Sequence, residues 1–390
     1  MIKCFFLIAG ILLFSSPVRC QSSQTVAGVA ADTETVKASS ATVDTAKEDV
    51  ARAARELNKA RYEKMILKAE LEPSAEGKVQ LYTQALSRWN KGYGSVVKGQ
   101  LLERRGTAYS KLRKWDSSAA DLKTALKLNP KSVAGRKLLS RIYQLQGKCA
   151  AASDEIGALL KQVGKGEYAD LYYQRALINA LCLQDMKKSI ADFNSAIRTA
   201  YPAKHSGLML KSFLARGELY CLAGNFEEGN ADIAEASQLD KSRKEYLVAR
   251  GTCRMFEQKF TEADQDFTDY ISSTTGEGAV SAPVANVLAE AYCKKGQIAL
   301  ERGEPESAQD LFTEAIGVAQ PAPSLDNPTG DNLFNISDCY FYRAGIYEGV
   351  GEYLFAEQDY EQACKMGNRP ACSRKKRMLK EAEEEEIDKG

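Results

Sequence analysis

Cysteine is the residue type best placed to do covalent chemistry in this chain. The sequence has ten cysteines, and eight of them lie beyond Cys20. In an oxidising compartment an even number of cysteines permits disulfides. The segment "CKMGNRPAC" places a Gly-Asn turn and a proline between Cys364 and Cys372, so this pair is the candidate disulfide, with two free thiols as the alternative. Most of the other six fall at packed positions of first helices, where cysteine acts as a small hydrophobe and neighbouring backbones are usually too far apart to bridge. These six are Cys149, Cys182, Cys221, Cys253, Cys293 and Cys339.

Acid–base and metal chemistry have few candidate residues. His205 is the only histidine of the chain, although most catalytic proton transfer and most zinc sites use that residue. The phosphate-binding, dinucleotide-binding, zinc-protease and serine-hydrolase motifs do not occur in the sequence. We therefore predict no catalytic residues, no metal site and no cofactor. The alternative is an enzyme, or a regulatory subunit of an enzyme complex, with no recognisable catalytic motif.

Composition indicates a foldable chain without a nucleic-acid footprint. Hydrophobic residues make up 44% and charged residues 27% of the 390 positions. Lys and Arg number 53 against 52 Asp and Glu, a formal net charge of +1. A general nucleic-acid binder would carry a clear basic excess, so nucleic acid is not an expected partner.

The two ends of the chain differ from its middle. Residues 1–20 combine Lys3 with an apolar stretch too short to span a membrane, which is typical of a secretory signal peptide. We therefore expect an exported protein, periplasmic or secreted, with lipid anchoring at Cys20 as the less favoured alternative. Residues 21–43 lack aromatic side chains and are predicted to form a flexible leader. Thr45 and Glu48 have capping-box spacing and open the helical domain, 44–372. Residues 373–390 are predicted to form a charged helix that frays into an acidic tail.

One modification motif is present. Asn335-Ile336-Ser337 has the pattern of an N-glycosylation acceptor, which would be used only in a eukaryotic secretory pathway. The sequence leaves both a bacterial periplasm and a eukaryotic secretory pathway open.

The middle of the chain repeats itself. In "RRGTAYSKLRKWDSSAADLKTALKLNP" a small residue, Gly106, precedes Tyr109 by three positions, and a second helix carries Leu122 and Ala125 before Pro130. The same register returns at Gly217 and again at Gly251, which lies 251 − 217 = 34 residues later. Further copies contain Gly296 with Phe312, and Tyr347 with Tyr360. Recurrence at such a period indicates stacked structural repeats.

This pattern resembles the tetratricopeptide repeat family over roughly residues 44–370. The resemblance implies an all-α fold, a solenoid of antiparallel helix pairs with about six to eight repeats. In each pair the small residue lets the two helices approach, and the aromatic side chain fills the space beside that contact. Proline ends the second helix, so the next pair can begin.

The resemblance also implies a function and a surface. We expect an adaptor or scaffold that binds a protein or peptide partner, with no membrane span in the mature chain and an oligomeric state that the sequence does not fix. In this family the first helix of each pair lines a concave groove. Many apolar residues at the corresponding positions indicate an exposed apolar site, unless these side chains are buried against one another or covered by the N-terminal helix. The groove residues are Ile178, Leu181, Leu214, Leu222, Val248, Met255, Phe256, Leu300 and Phe341.

Overall fold

The computed structural model describes residues 33–163, 168–200, 202–275, 281–319 and 334–388. The predicted signal peptide and residues 21–32 of the predicted leader therefore lie outside the described residues. The chain divides into two compact units, Met1–Arg61 and Tyr62–Gly390. The first unit is represented by the amino-terminal part of one long helix, in which Arg52 pairs with Asp49 at 2.8 Å.

The second unit is all-α throughout its described residues. A 3₁₀ turn (Lys91–Tyr93) lies between two of the helices, and a π-helical turn (Ile178–Cys182) directly follows the helix that ends at Leu177. The helices are α1 (Thr33–Leu71), α2 (Ala75–Ser87), α3 (Ser95–Lys111), α4 (Trp115–Leu128), α5 (Val133–Leu145), α6 (Cys149–Val163), α7 (Ala169–Leu177), α8 (Met186–Thr199), α9 (Pro202–Leu222), α10 (Phe226–Leu239), α11 (Glu245–Phe256), α12 (Phe260–Thr274), α13 (Ala282–Glu301), α14 (Pro305–Val318), α15 (Ser337–Gly349), α16 (Tyr353–Lys365) and α17 (Arg369–Asp388).

Helix α1 differs from its prediction at one end. It stops at Leu71, just before Pro73, as expected for a proline that cannot continue a helix. It begins at Thr33 rather than near Thr45, so residues 33–43 are helical and not the flexible leader predicted from composition. Once a helix exists, each further residue adds a hydrogen bond without a new nucleation step, so Ala and Lys residues extend it readily.

Helices α3 to α16 form seven antiparallel pairs, which we number repeats 1 to 7 in chain order. Repeat 1 is α3 with α4, repeat 5 is α11 with α12, and repeat 7 is α15 with α16. This architecture confirms the predicted helical solenoid. In α11, a Cβ added to Gly251 would lie 2.7 Å from the ring of Phe267 on α12, and Gly296 meets Phe312 at the same distance. Only glycine permits these contacts, which is why the small and aromatic positions recur together.

Five of the seven repeats share an ion pair that the sequence analysis missed. An arginine directly before the small residue of the first helix makes two hydrogen bonds to a largely buried aspartate on the second helix. This two-pronged geometry fixes the relative position of the paired helices. The pairs, at 2.6–2.7 Å, are Arg105–Asp121, Arg175–Asp192, Arg216–Asp232, Arg250–Asp266 and Arg343–Asp359.

Helix α17 packs on the last repeat. Ala371 and Met378 are buried in one cluster with Ala344 and Tyr360 of repeat 7. Its charged outer residues suit the end of a stack, because a terminal helix exposes one face to solvent. The helix starts at Arg369, a few residues before the predicted boundary at 373, and remains helical through the glutamate run to Asp388.

Candidate protein-interaction surface

Three disulfides tie consecutive repeats together. Cys149 at the start of α6 bonds Cys182 at the end of the π-helical turn after α7, with Cα atoms 5.7 Å apart. Cys221 of α9 bonds Cys253 of α11 at 5.2 Å, and Cys293 of α13 bonds Cys339 of α15 at 5.7 Å. These Cα separations lie within the usual range for disulfides.

The expectation that these six cysteines are too far apart to bridge is therefore wrong. Consecutive repeats lie side by side in the stack, so residues about one repeat apart in sequence become direct neighbours. Cys221 and Cys253, on the first helices of two repeats, are 32 residues apart along the chain, and Cys149, on a second helix, is 33 residues from Cys182. The burial of Cys221 and Cys253, which led to a hydrophobic interpretation, reflects this contact between repeats.

The candidate pair Cys364 and Cys372 is also bonded in the structure. Cys364 ends α16 and Cys372 lies in the first turn of α17, with Cα atoms 4.8 Å apart. The turn between them contains Gly367, which has a φ of +94° that favours glycine. This bond fixes α17 to repeat 7.

Three of the nine predicted groove residues are core residues. Ile178, Leu214 and Val248 expose between 0 and 8% of their surface and belong to three separate hydrophobic clusters. The prediction of an exposed groove is wrong for these positions. Ile178 packs against the preceding repeat, and Leu214 and Val248 pack against the following one, so stacking of the repeats buries all three.

Four more groove residues are half-buried. Met255, Leu300 and Phe341 pack against the clusters of their own repeats, and Leu181 lies within the π-helical turn. The ring of Phe341 lies 5.9 Å from that of Tyr360 on the second helix of repeat 7. These side chains contribute to packing and present only part of their surface.

Leu222 and Phe256 are the two groove residues that the structure exposes. They expose 52% and 39% of their surface, respectively. Leu222 follows Cys221, and Phe256 lies about one turn after Cys253, so the disulfide brings the final turns of α9 and α11 together. Leu183 and Val350 are exposed at the ends of the first helices of repeats 3 and 7. We call Leu183, Leu222, Phe256 and Val350 the apolar edge.

Charged side chains lie along the first helices beside this edge. Burial, and then the negative charge of Glu290, raise the pKa of Glu218 well above its ordinary value, while Lys294 opposes the shift. Burial likewise raises the pKa of Asp338, again against the effect of Lys294. Glu218 is on α9, Glu290 and Lys294 are on α13, and Asp338 is on α15. The first helices of repeats 4, 6 and 7 therefore carry three carboxyl groups and one lysine in electrostatic contact.

In the part of the chain that the structure describes, no group of three His, Cys, Asp or Glu residues is arranged to hold a metal ion. In the same residues, no helix has the length and apolar character needed to cross a membrane.

Comparisons with known proteins show which repeat family this architecture resembles. The family model of the tetratricopeptide repeat matches residues 289–321, which include the second part of α13 and all of α14. The chain carries a tetratricopeptide repeat at these residues, within a solenoid of seven helix pairs that has the tetratricopeptide-repeat fold.

Its similarity to individual proteins is remote. Human DnaJ homolog subfamily C member 7 is 22% identical over 316 residues, covering 72% of this chain, and the chain spans 63% of that relative's length. A tetratricopeptide repeat protein from Parabacteroides merdae superposes with a TM-score of 0.51 at 17% identity, over 73% of this chain and 98% of the other. Yeast Tom70 gives a TM-score of 0.51 at 14% identity, over 80% of this chain and 60% of its own. These similarities show the fold of a tetratricopeptide-repeat scaffold, and proteins of this kind bind protein partners.

One exposed segment of this tetratricopeptide-repeat protein was not predicted. Tyr353, Leu354 and Phe355 open α16 and expose 59%, 76% and 52% of their surface. At the same place in repeat 4, polar Glu227 and Glu228 follow Phe226. The signal that could have found the segment is this departure from the other repeats, in which polar or small residues follow the first position of the second helix.

Proposed function

We propose that this protein is an exported adaptor that binds a segment of a partner protein on the first helices of its central repeats. The observation that carries the proposal is the apolar edge, where Leu222 and Phe256 of neighbouring repeats expose apolar surface side by side. Exposed apolar surface on a folded domain marks interaction sites. The proposed binding surface is therefore smaller than the groove predicted from sequence, and comprises only the carboxyl-terminal turns of the first helices.

Two features support export. Residues 1–20 have the pattern of a signal peptide. The eight cysteines beyond Cys20 form four disulfides, a density that is rare in reducing compartments and usual in secreted or periplasmic proteins.

The surface also favours a kind of partner segment. The apolar edge offers contacts for leucine- or phenylalanine-like side chains, while Glu218 and Glu290 lie on the same first-helix face. An amphipathic segment would meet this surface with its apolar face, while Glu290 is buried and the raised pKa of Glu218 favours its neutral form, so neither carboxyl selects the charge of the partner.

The test replaces the two exposed residues and keeps a matched control. Leu222→Glu with Phe256→Glu should abolish capture of the partner, because two charges would have to be desolvated in the contact. Val133→Glu is the control, since Val133 is 39% exposed at the start of α5, away from the apolar edge. Partners are cross-linked in the exported fraction and identified by mass spectrometry for wild type and both variants.

The thermal midpoint decides how the result is interpreted. Both variants should melt within about 2 °C of wild type, because surface substitutions usually change stability by less than about 0.5 kcal/mol. A protein that cross-links to the wild type and the control but not to the double variant supports the proposal. Equal capture by all three proteins would contradict it.

A further inference from the structure

The acceptor motif Asn335-Ile336-Ser337 lies directly before the first helix of repeat 7. Glycosylation requires asparagine, any residue except proline, and then serine or threonine. Asn327 also has a threonine two positions later, but Pro328 between them excludes that site. The motif plays no part in the helix pairs or in the apolar edge.

The backbone turns Asn335 away from the core. Phe334 and Ile336, the residues on either side, both pack against the hydrophobic cluster of repeats 6 and 7. Asn335 between them is exposed. Alternation of this kind fixes the direction of the middle side chain, because both neighbours are held inward.

The side chain of Asn335 also leaves its nitrogen available. Its Oδ1 accepts a hydrogen bond from the backbone N–H of Ser337 at 3.0 Å. No described residue accepts a hydrogen bond from Nδ2. A sugar attached to that nitrogen would extend into solvent without displacing an internal contact among the described residues.

We propose that Asn335 carries an N-linked oligosaccharide, added before repeats 6 and 7 are joined. The donor class is a lipid-linked oligosaccharyl diphosphate. A bond forms between Asn335 Nδ2 and the first sugar carbon, the sugar–phosphate bond breaks, the lipid diphosphate leaves with its electron pair, and Nδ2 loses one proton.

The order of events follows from the burial of Ser337. Ser337 exposes 1% of its surface in the folded protein, so its side chain is closed to an enzyme that must recognise it. Two residues later, Cys339 is bonded to Cys293 of repeat 6. Closing this bond holds the start of α15 against α13 and keeps Ser337 buried. Transfer therefore takes place on the chain before this disulfide forms.

The inference rests on the proposed export of the chain. The first experiment expresses the full chain with its own leader in a cultured eukaryotic secretory cell line. Digestion with peptide N-glycosidase should reduce the mass of the secreted protein by one oligosaccharide and convert Asn335 to aspartate. Asn335→Gln and Ser337→Ala should both abolish the modification, and Ser337→Thr should retain it.

Amino-terminal sequencing separates the two possible failures. A mature protein that begins near Gln21 but carries no oligosaccharide overturns the glycosylation site and leaves export supported. A cytosolic protein that retains Met1 overturns export and, with it, this modification.

A second experiment tests the order of events. Unmodified protein purified in its oxidised state from a bacterial periplasm is offered to solubilised microsomal oligosaccharyl transferase with the lipid-linked donor. The reduced, unfolded protein should be modified at least tenfold faster than the oxidised, folded protein. Equal rates would overturn transfer before closure of the Cys293–Cys339 disulfide.

Discussion

Interfaces between consecutive repeats are of two kinds, bridged and unbridged. In the described residues, disulfides join repeats 2 and 3, repeats 4 and 5, and repeats 6 and 7. The interfaces between repeats 1 and 2, 3 and 4, and 5 and 6 contain none. Covalent and non-covalent interfaces thus alternate along the stack. The solenoid is built from three linked pairs of repeats, with repeat 1 at one end and α17 bonded to repeat 7 at the other.

Polar contacts take the place of a disulfide at the interface between repeats 5 and 6. Lys295 of α13 pairs with Asp264 of α12 at 2.9 Å and donates a hydrogen bond to Thr268 at 2.6 Å. Arg302 approaches the same aspartate at 3.6 Å. At the bridged interface between repeats 4 and 5, the hydrogen bond from Asn230 to Glu257 at 3.0 Å accompanies the disulfide.

The two kinds of interface differ in their contribution to stability. Disulfides that close loops of 32 to 46 residues stabilise a fold by roughly 4 kcal/mol each in the chain-entropy account. A partly exposed ion pair contributes about 1 kcal/mol or less. Repeat proteins open at their weakest nearest-neighbour interfaces. The unbridged interfaces are therefore where this solenoid should open first.

Removing a bridge should give the largest effect. Replacing Cys221 and Cys253 by alanine should lower the free energy of unfolding by roughly 4 kcal/mol, because the unfolded chain regains the entropy of a closed loop. Amide hydrogen exchange in α9 and α11 should rise to the level seen at the unbridged interfaces. Denaturant unfolding and exchange mass spectrometry measure the two effects.

The terminal bridge is the matched control. Cys364 and Cys372 are only 8 positions apart in sequence, so replacing both by alanine should cost roughly 2.5 kcal/mol. Faster exchange should then be confined to α16 and α17. Equal loss of protection throughout the chain in both variants would contradict the division into linked pairs of repeats.

The fold was predictable from sequence because its contacts are local. Gly251 and Phe267 lie on two helices of one pair, so a fixed offset in sequence encodes their contact. The Cys221–Cys253 bond depends on how two first helices align across a repeat interface, which no local offset specifies. The recurrence of cysteines at nearly the repeat length was the available signal.

The candidate surface was predictable only in part, for a similar reason. The family's groove positions identified Leu222 and Phe256, but the same rule selected Ile178 and Val248, which stacking buries. Exposure depends on how closely successive repeats approach. The Arg250–Asp266 pair was also missed, although an arginine before the small residue and an aspartate before the aromatic residue recur in sequence.

A smaller effect is expected when the unbridged interface loses its ion pair. Lys295→Met should lower the free energy of unfolding by about 1 to 2 kcal/mol, since the Lys295 side chain is only 18% exposed and its ammonium group holds two partners on α12. Lys188→Met is the control, because Lys188 is 72% exposed and pairs with Asp185 in its own turn. The control should leave the denaturant midpoint unchanged, because the pair is exposed and screened by solvent. An equal loss in both variants, measured by denaturant unfolding, would show that Lys295 does not hold the interface.

The smallest expected change in stability is a gain, unlike the losses predicted above, and its size depends on pH. Glu218 of repeat 4 is influenced by Glu290 of repeat 6, so their repulsion acts across repeat 5, over the bridged interface on one side of it and the unbridged interface on the other. The pKa of Glu218 is raised in the folded protein, first by burial and then by Glu290. Folding therefore favours the protonated form, and stability declines as pH rises from the ordinary value of 4.5 through the raised pKa.

Glu218→Gln removes that pH-dependent loss while keeping the shape of the side chain. The variant should melt above wild type at about pH 7 to 8, and the difference should vanish near pH 4, where the wild-type carboxyl is already neutral. Glu235→Gln, on the exposed face of α10, is the control and should leave the midpoint unchanged across the same range. Thermal scans between about pH 4 and 8 provide the measurement.

If Glu218→Gln lowers the midpoint at neutral pH, the prediction is wrong. The charge of Glu218 then stabilises the contact between repeats 4 and 6 instead of loosening it, because Lys294 outweighs both burial and Glu290.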